Sequence, residues 1–303
     1  MKNSLSHLPQ VKQNELQKIV LAIRESCDDV EKIILFGSYA RGNYKEEKDL
    51  KPERKSGHVS DYDILVVTAK KEVALDVSLW NKISAECGKL NLSASPRIIT
   101  HDIEALNIKL AECQYFFSDI KKEGIALFDS EKFKFADERN LTLQEKRRIA
   151  QNHFEEWFGR AAGFFNVFEF LSKQDGSKTI LKNDSNPYAQ VINNGLAAFN
   201  LHQSAESAYK AVLLVFSNYS PREHFLQFLG EKAEQYSSLM KNIFAKISKE
   251  DEERFKLLEY AYIGGRYDPQ YRISKEDLEI LAQNVKNLLQ LTEEICKEKI
   301  KSF

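Results

Sequence analysis

Asp61 and Asp63 stand two residues apart at the head of Ser60-Asp61-Tyr62-Asp63-Ile64-Leu65-Val66-Val67, where a pair of acids could hold a hard cation. The run from Ile64 to Thr68 is apolar and rich in β-branched residues, which predicts a buried strand, and side chains two apart on a strand share a face. The two carboxylates therefore converge, roughly 6–7 Å apart along one strand. Such a pair can take one or two Mg²⁺ ions, because Mg²⁺ binds oxygen at about 2.0–2.1 Å and fills its remaining positions with water and substrate phosphates. That geometry suits phosphoryl or nucleotidyl transfer.

The elements that must position these acids lie upstream. Lys32-Ile33-Ile34-Leu35-Phe36 predicts a strand, Gly37-Ser38 breaks it, and a helical turn over 38–44 follows. Backbone N–H groups and the Ser38 hydroxyl then sit at a helix N-terminus, where phosphates bind. Gly37, Ser38 and, in the same Phe-Gly-Ser-Tyr-Ala-Arg-Gly run, Arg41 are the candidate nucleotide-binding residues. An isolated Asp-x-Asp or Gly-Ser is usually a turn. The order strand, Gly-Ser, helix, aspartate-bearing strand is what carries the argument.

This order resembles the signature of the DNA polymerase β-type nucleotidyltransferase superfamily, and the Gly-Ser-Tyr-Ala-Arg-Gly form resembles its minimal nucleotidyltransferase branch. The resemblance implies that Gly37 and Ser38 bind the triphosphate and that Asp61 and Asp63 bind Mg²⁺. Two departures qualify it. Between Ser38 and Asp61 lie 22 residues, longer than the family spacing, with a charged stretch in which Lys51, Arg54 and Lys55 could meet phosphates or could simply be solvated. The family also places a third carboxylate on a later strand. The corresponding strand here, Pro96-Arg97-Ile98-Ile99-Thr100-His101, carries no acid; Asp102 follows it and is either a third metal ligand or the N-cap of the next helix.

At 303 residues with 43% apolar content, two domains are expected, and the net charge of −1 gives no global attraction to nucleic acid or acidic lipid. Cys27, Cys87, Cys113 and Cys296 are scattered, without metal-site or disulfide-framework spacing, and read as buried small hydrophobes. No stretch approaches the ~20 apolar residues of a membrane span, so a soluble, cytoplasmic protein is expected.

Residues 1–140 alternate helical and strand patterns, predicting an α/β (α+β) nucleotidyltransferase domain with a small mixed sheet: helices near 10–26, 38–44, 71–87, 102–111 and 114–123, strands near 31–36, 62–68, 95–101 and 125–128. From 141 to 303 nearly everything has helical period, predicting an all-α bundle. Thr142 with Glu145 is a capping box, Pro221 suits the first position of a third helix, and Ser274 with Asp277 opens the last. Lys173 to Pro187 reads as a loop.

The helical half resembles the HEPN domain (higher eukaryotes and prokaryotes nucleotide-binding), in the branch fused to minimal nucleotidyltransferases. The residues that carry the likeness are Phe199-Asn200-Leu201-His202-Gln203-Ser204-Ala205-Glu206, Pro221-Arg222-Glu223-His224-Phe225-Leu226 and Ala261-Tyr262-Ile263-Gly264-Gly265-Arg266-Tyr267. His202 and Glu206, with Gln203, share a helix face. With His224 and Arg266 they form either a nucleotide or RNA phosphate site or an internal network that fixes the helices. Many relatives are ribonucleases with an Arg and a His separated by four to six residues; Arg148 and His153 have that spacing but lie in the first helix.

The expected function is a Mg²⁺-dependent nucleotidyltransferase that moves a nucleoside monophosphate, AMP from ATP, onto a hydroxyl of a small molecule, protein or RNA. The alternative is a non-catalytic nucleotide-binding regulatory module descended from a fused toxin–antitoxin pair. Trp157, Phe158, Phe164, Phe165, Phe168 and Phe170 crowd one helix on more than one face, and HEPN relatives commonly pair, so a homodimer through the helical halves is expected.

Overall fold

A computed structural model describes residues 1–49, 59–173 and 189–303; Lys51, Arg54, Lys55 and the segment 174–187 lie outside the described residues. The chain divides into two compact units, Met1–Asn140 and Leu141–Phe303.

In the first unit a four-stranded sheet has the order β3-β2-β1-β4, with β1 Val30–Phe36, β2 Tyr62–Thr68, β3 Pro96–Asp102 and β4 Ile125–Asp129. β1 runs antiparallel to β2 and β4, whereas β2 and β3 are parallel. All seven residues of β1 are buried, because the sheet is covered on both faces. Ile33, Leu35, Tyr62, Ile64 and Val66 form one core, with Leu16, Ile19 and Ile23 of α1 (Gln10–Ser26) and Trp80 and Ile83 of α4 (Val77–Gly88). Ile34, Phe36, Leu65 and Val67 form the other, with Ile103 and Leu106 of α5 (Ile103–Ala111) and Phe117 and Ile120 of α6 (Tyr115–Glu123).

Two helices differ from the sequence pattern. The turn after β1 is only α2, Gly37–Arg41, because Gly42 adopts left-handed φ 81° and ends it. The helix expected over 71–87 is broken into α3 (Lys71–Ala74) and α4, since Asp76 accepts from Leu79 N at 2.9 Å and starts a new helix.

The second unit consists of α7 (Leu143–Ser172), α8 (Ala189–Ser217), α9 (Leu226–Ala233), α10 (Lys249–Tyr267) and α11 (Lys275–Lys301), with a 3-10 turn at Ser238–Asn242. The Thr142/Glu145 capping box opens α7, and Ser274, accepting from Asp277 N, opens α11. The apolar stripe Leu278, Leu281, Val285 and Leu288 is buried, as its heptad-like spacing predicts. Pro221 does not start a helix. α9 begins five residues later, where Glu259 Oε1 of α10 accepts from Gln227 N at 2.7 Å and caps it from outside the local sequence. Among the described residues no helix is long and apolar enough to cross a membrane.

Candidate functional site

In the N-terminal unit, β1 delivers Gly37 and β2 delivers Asp63 to the same end of the sheet. Phe36 pairs with Asp63 across the ladder, so the turn that follows Phe36 passes directly over the Asp63 carboxylate. Gly37 has φ 76°, and a Cβ there would lie 2.1 Å from Asp63 Oδ2. Glycine is required twice at this point, by its left-handed backbone and by a contact that no side chain leaves room for. Asp61 is exposed at the entry to β2 and has no hydrogen-bond or ion-pair partner among the described residues. Ser38 is half-buried on α2; Arg41, at its end, reaches Glu123 of α6 at a long 3.5 Å.

The insertion starts and finishes beside these acids. Ser60 N donates to Lys45 O at 2.9 Å and Lys45 N to Ser60 Oγ at 3.0 Å, pinning both ends of the segment together next to Asp61. Beneath lies a polar network that the sequence reading did not find. Tyr62 donates to Glu15 Oε2 at 2.6 Å, Ser93 N donates to Glu15 Oε1 at 3.1 Å, and buried Lys12 pairs with Glu46 at 2.7 Å. Tyr39 stacks on Tyr44 at 4.2 Å and leans on Tyr62 at 4.4 Å. Burial tends to raise the Glu15 carboxyl, but hydrogen bonds from Ser93 and Tyr62, with the Lys12 charge, hold it below its ordinary range. Glu46 drops to about 2 through hydrogen bonds from Lys12 and Lys48. The one available signal was Tyr62 itself, since a tyrosine buried at a strand start needs a partner for its hydroxyl.

Asp102 is not a third ligand. In the parallel register Asp63 pairs with Arg97 and Asp102 with Thr68, which puts Asp102 five residues, roughly 16 Å, along the strand from the aspartate pair. Its carboxylate accepts from Ala105 N at 2.8 Å and caps α5. The side chain beside Asp63 on β3 is exposed Arg97, so the nearest strand position is basic. Among the described residues no group of three or more His, Cys, Asp or Glu could hold a metal ion.

In the helical unit all five expected residues come together. Glu206 Oε1 accepts from Lys210 Nζ at 2.7 Å and lies 2.9 Å from His224 Nδ1; Glu206 Oε2 accepts from Gln203 Nε2 at 2.8 Å. His224 stacks on Tyr262 at 4.7 Å and 14°, and Arg266 lies over the same ring at 4.5 Å while its Nε donates to Tyr262 O. His202 is wholly buried, 5.4 Å from Tyr262, with Nε2 unpartnered among the described residues. Burial drives His202 down to about 4, against the raising effect of Glu206. For Glu206, burial favours the neutral acid, but the His224 and Lys210 contacts prevail and hold it near 2. Lys210 escaped the sequence reading, although it is four residues from Glu206 and on its helix face, and Tyr262 was given no role there.

Residues 193–295 match the family model of the HEPN domain. The helical unit therefore carries a HEPN domain. The match spans all five residues of the cluster, whereas α7 with Arg148 and His153 precedes it. His153 Nε2 lies 2.8 Å from Asn218 Oδ1 and is lowered by burial, which makes it a tie between α7 and the end of α8. No curated protein matches the chain.

Proposed function

We propose that the N-terminal unit binds a magnesium-bound nucleoside triphosphate, with ATP as the expected nucleotide, at a corner of nucleotidyltransferase type. The observation that carries this reading is the close approach of Gly37 to the Asp63 carboxylate, which sets a bare backbone turn against one acid of the pair. Two aspartates without a third carboxylate fit Mg²⁺, a cation commonly held by one or two carboxylates plus water and substrate phosphates. Bound there, the ion would neutralise the phosphates and align them. Gly37 and Ser38 would hold the phosphates through backbone and hydroxyl donors, and Arg41 would exchange its long contact with Glu123 for phosphate oxygen. In the enzymatic form of the proposal an acceptor hydroxyl oxygen attacks the α-phosphorus, the bond to the bridging oxygen of pyrophosphate breaks, and the hydroxyl proton passes to solvent. The HEPN domain would select the acceptor, a protein, an RNA end or a small molecule.

The second reading, a regulatory module that binds nucleotide without turnover, is favoured by Arg97 at the position beside Asp63 and by the role of Asp102 as a helix cap. The positively charged neighbour suits phosphate binding and offers no base for the attacking hydroxyl. Geometry therefore supports binding more strongly than transfer. Incubation with α-labelled ATP, Mg²⁺ and cell extract separates them: label on a macromolecule or small acceptor establishes transfer, and saturable binding without label establishes the module.

A further inference from the structure

Asp61 is the less supported of the two aspartates. The β1–β2 ladder ends at Asp63 and the β2–β3 ladder at Tyr62, so Asp61 stands outside both. Its side chain is exposed and has no hydrogen-bond or ion-pair partner among the described residues. It therefore takes its place from the residues on either side.

Both flanks are tied back to α1. On one side Tyr62 N donates to Ser95 O at 2.9 Å, and the Tyr62 hydroxyl donates to Glu15 Oε2 at 2.6 Å. On the other, Ser60 and Lys45 exchange two hydrogen bonds, and Glu46, the next residue, pairs with Lys12 Nζ at 2.7 Å. Lys12 and Glu15 are three residues apart on one helix face and are 5% and 6% exposed. Ser93 joins them. Its hydroxyl accepts from Lys12 and donates to Glu15 Oε2 at 2.6 Å, while its N–H donates to Glu15 Oε1 at 3.1 Å. A continuous chain Glu46–Lys12–Ser93–Glu15–Tyr62 thus runs from one flank of Asp61 to the other.

Attachment of α1 to the sheet does not need these charges. Leu16, Ile19 and Ile23 already pack α1 into the core, and a buried ion pair is weak evidence for stability. Apolar contact has no direction, whereas hydrogen bonds fix where the groups that they join must sit. Burial, and then the Glu15 carboxylate, push the Tyr62 hydroxyl above its ordinary range, so it stays a donor.

We infer that Lys12 and Glu15 are positioning residues, whose shared network sets the place of Asp61 relative to Asp63 for a divalent cation. The role rests on the nucleotide reading of the corner. Both residues act through Asp61, and neither meets the ion itself.

Calorimetric titration of ATP into the full chain, once with excess Mg²⁺ and once with EDTA, reads the gain in affinity that the cation supplies. Tyr62→Phe removes the bond to Glu15 and keeps the ring in the core. Lys12→Met removes the other arm and leaves Glu46 its contact with Lys48. Each should reduce the gain about tenfold, with the affinity in EDTA unchanged. Ile83→Val takes a methyl group from the same core and no group from the network. It should lower the melting temperature by an amount comparable to Tyr62→Phe and keep the parent's gain. Tyr62→Phe, the smaller change, decides alone if Lys12→Met does not fold. A gain equal to the parent's in the network variants, or an equal loss in Ile83→Val, would overturn the positioning role and leave the nucleotide reading standing. A parent with no Mg²⁺-dependent gain would overturn both.

Discussion

The carboxylates of the N-terminal corner and the carboxylate of the HEPN cluster are handled in opposite ways. Glu206 is 5% exposed and already answered by Lys210, His224 and Gln203. Asp61 is exposed, and Asp63 lies under a glycine turn shaped so closely to it that a methyl group has no place. A buried acid with three internal partners is part of the internal structure, and its bond to His224 ties α8 to the segment that leads into α9. Asp61, exposed and without a hydrogen-bond or ion-pair partner among the described residues, contributes little to the fold and is open to a cation from solution. Both regions contain residues of catalytic type, and only burial and partnering tell their roles apart.

Deleting the carboxylates should expose this contrast most sharply. Glu206→Ala leaves Lys210 buried without its partner and should cost about 3–5 kcal/mol, whereas Asp61→Asn should change stability by less than about 0.5 kcal/mol. Chemical denaturation of the two variants measures both. If Asp61→Asn were the more damaging, the assignment of roles would be reversed.

Acid titration probes the same difference. His202, held near 4 against an ordinary 6.5, stays neutral in the folded protein while the unfolded chain takes up a proton. Its contribution is intact above pH 6.5 and declines as the pH falls to 4, by about 3 kcal/mol at 1.36 kcal/mol per pH unit. Glu206, held near 2 against an ordinary 4.5, adds a second loss between those values. Melting temperatures across this range should show both limbs, and His202→Leu should flatten the upper one. An unchanged profile in that variant would remove His202 from the account.

Gly37→Ala sharpens the comparison from the other side. The left-handed backbone and the approach to Asp63 should together cost about 1–3 kcal/mol, and the displaced carboxylate should weaken Mg²⁺-dependent nucleotide binding. A glycine that mattered for the ligand alone would show the second effect without the first; the clash that a Cβ would make with the Asp63 carboxylate implies both.

The smallest effect on stability is expected at the surface of α7, where Val167 and Phe170 are 45% and 63% exposed. They remain after Phe154 and Phe168 have entered the core, with Phe158 and Phe165 packed against it. A twofold homodimer through the helical units should scatter light as about 70 kDa against 35.0 kDa for one chain. Phe170→Glu should return it to the monomer mass with less than about 0.5 kcal/mol lost per chain.

Much of the architecture was legible in local pattern. The apolar, β-branched run from Ile64 to Thr68, the Thr142 capping box and the stripe on α11 each specify their element within a few residues. What escaped depends on contacts distant in sequence. The parallel register of β2 with β3 decides that Arg97, not Asp102, lies beside Asp63, and no local signal encodes a register. The start of α9 is set by Glu259, 33 residues beyond its first residue. His202, Gln203 and Glu206 were legible as one helix face, and His224 and Arg266 through the segments that resemble the HEPN domain, but the Tyr262 ring that joins His224 to Arg266 was visible only in three dimensions.

The most direct test of the nucleotide corner is calorimetric titration of ATP, with and without Mg²⁺, into the parent protein and into Asp61→Asn/Asp63→Asn. The exchange is nearly isosteric and removes both anionic ligands. The account predicts Mg²⁺-dependent binding in the parent and its loss in a variant that remains folded; equal affinity in the two proteins in the presence of Mg²⁺ would contradict it.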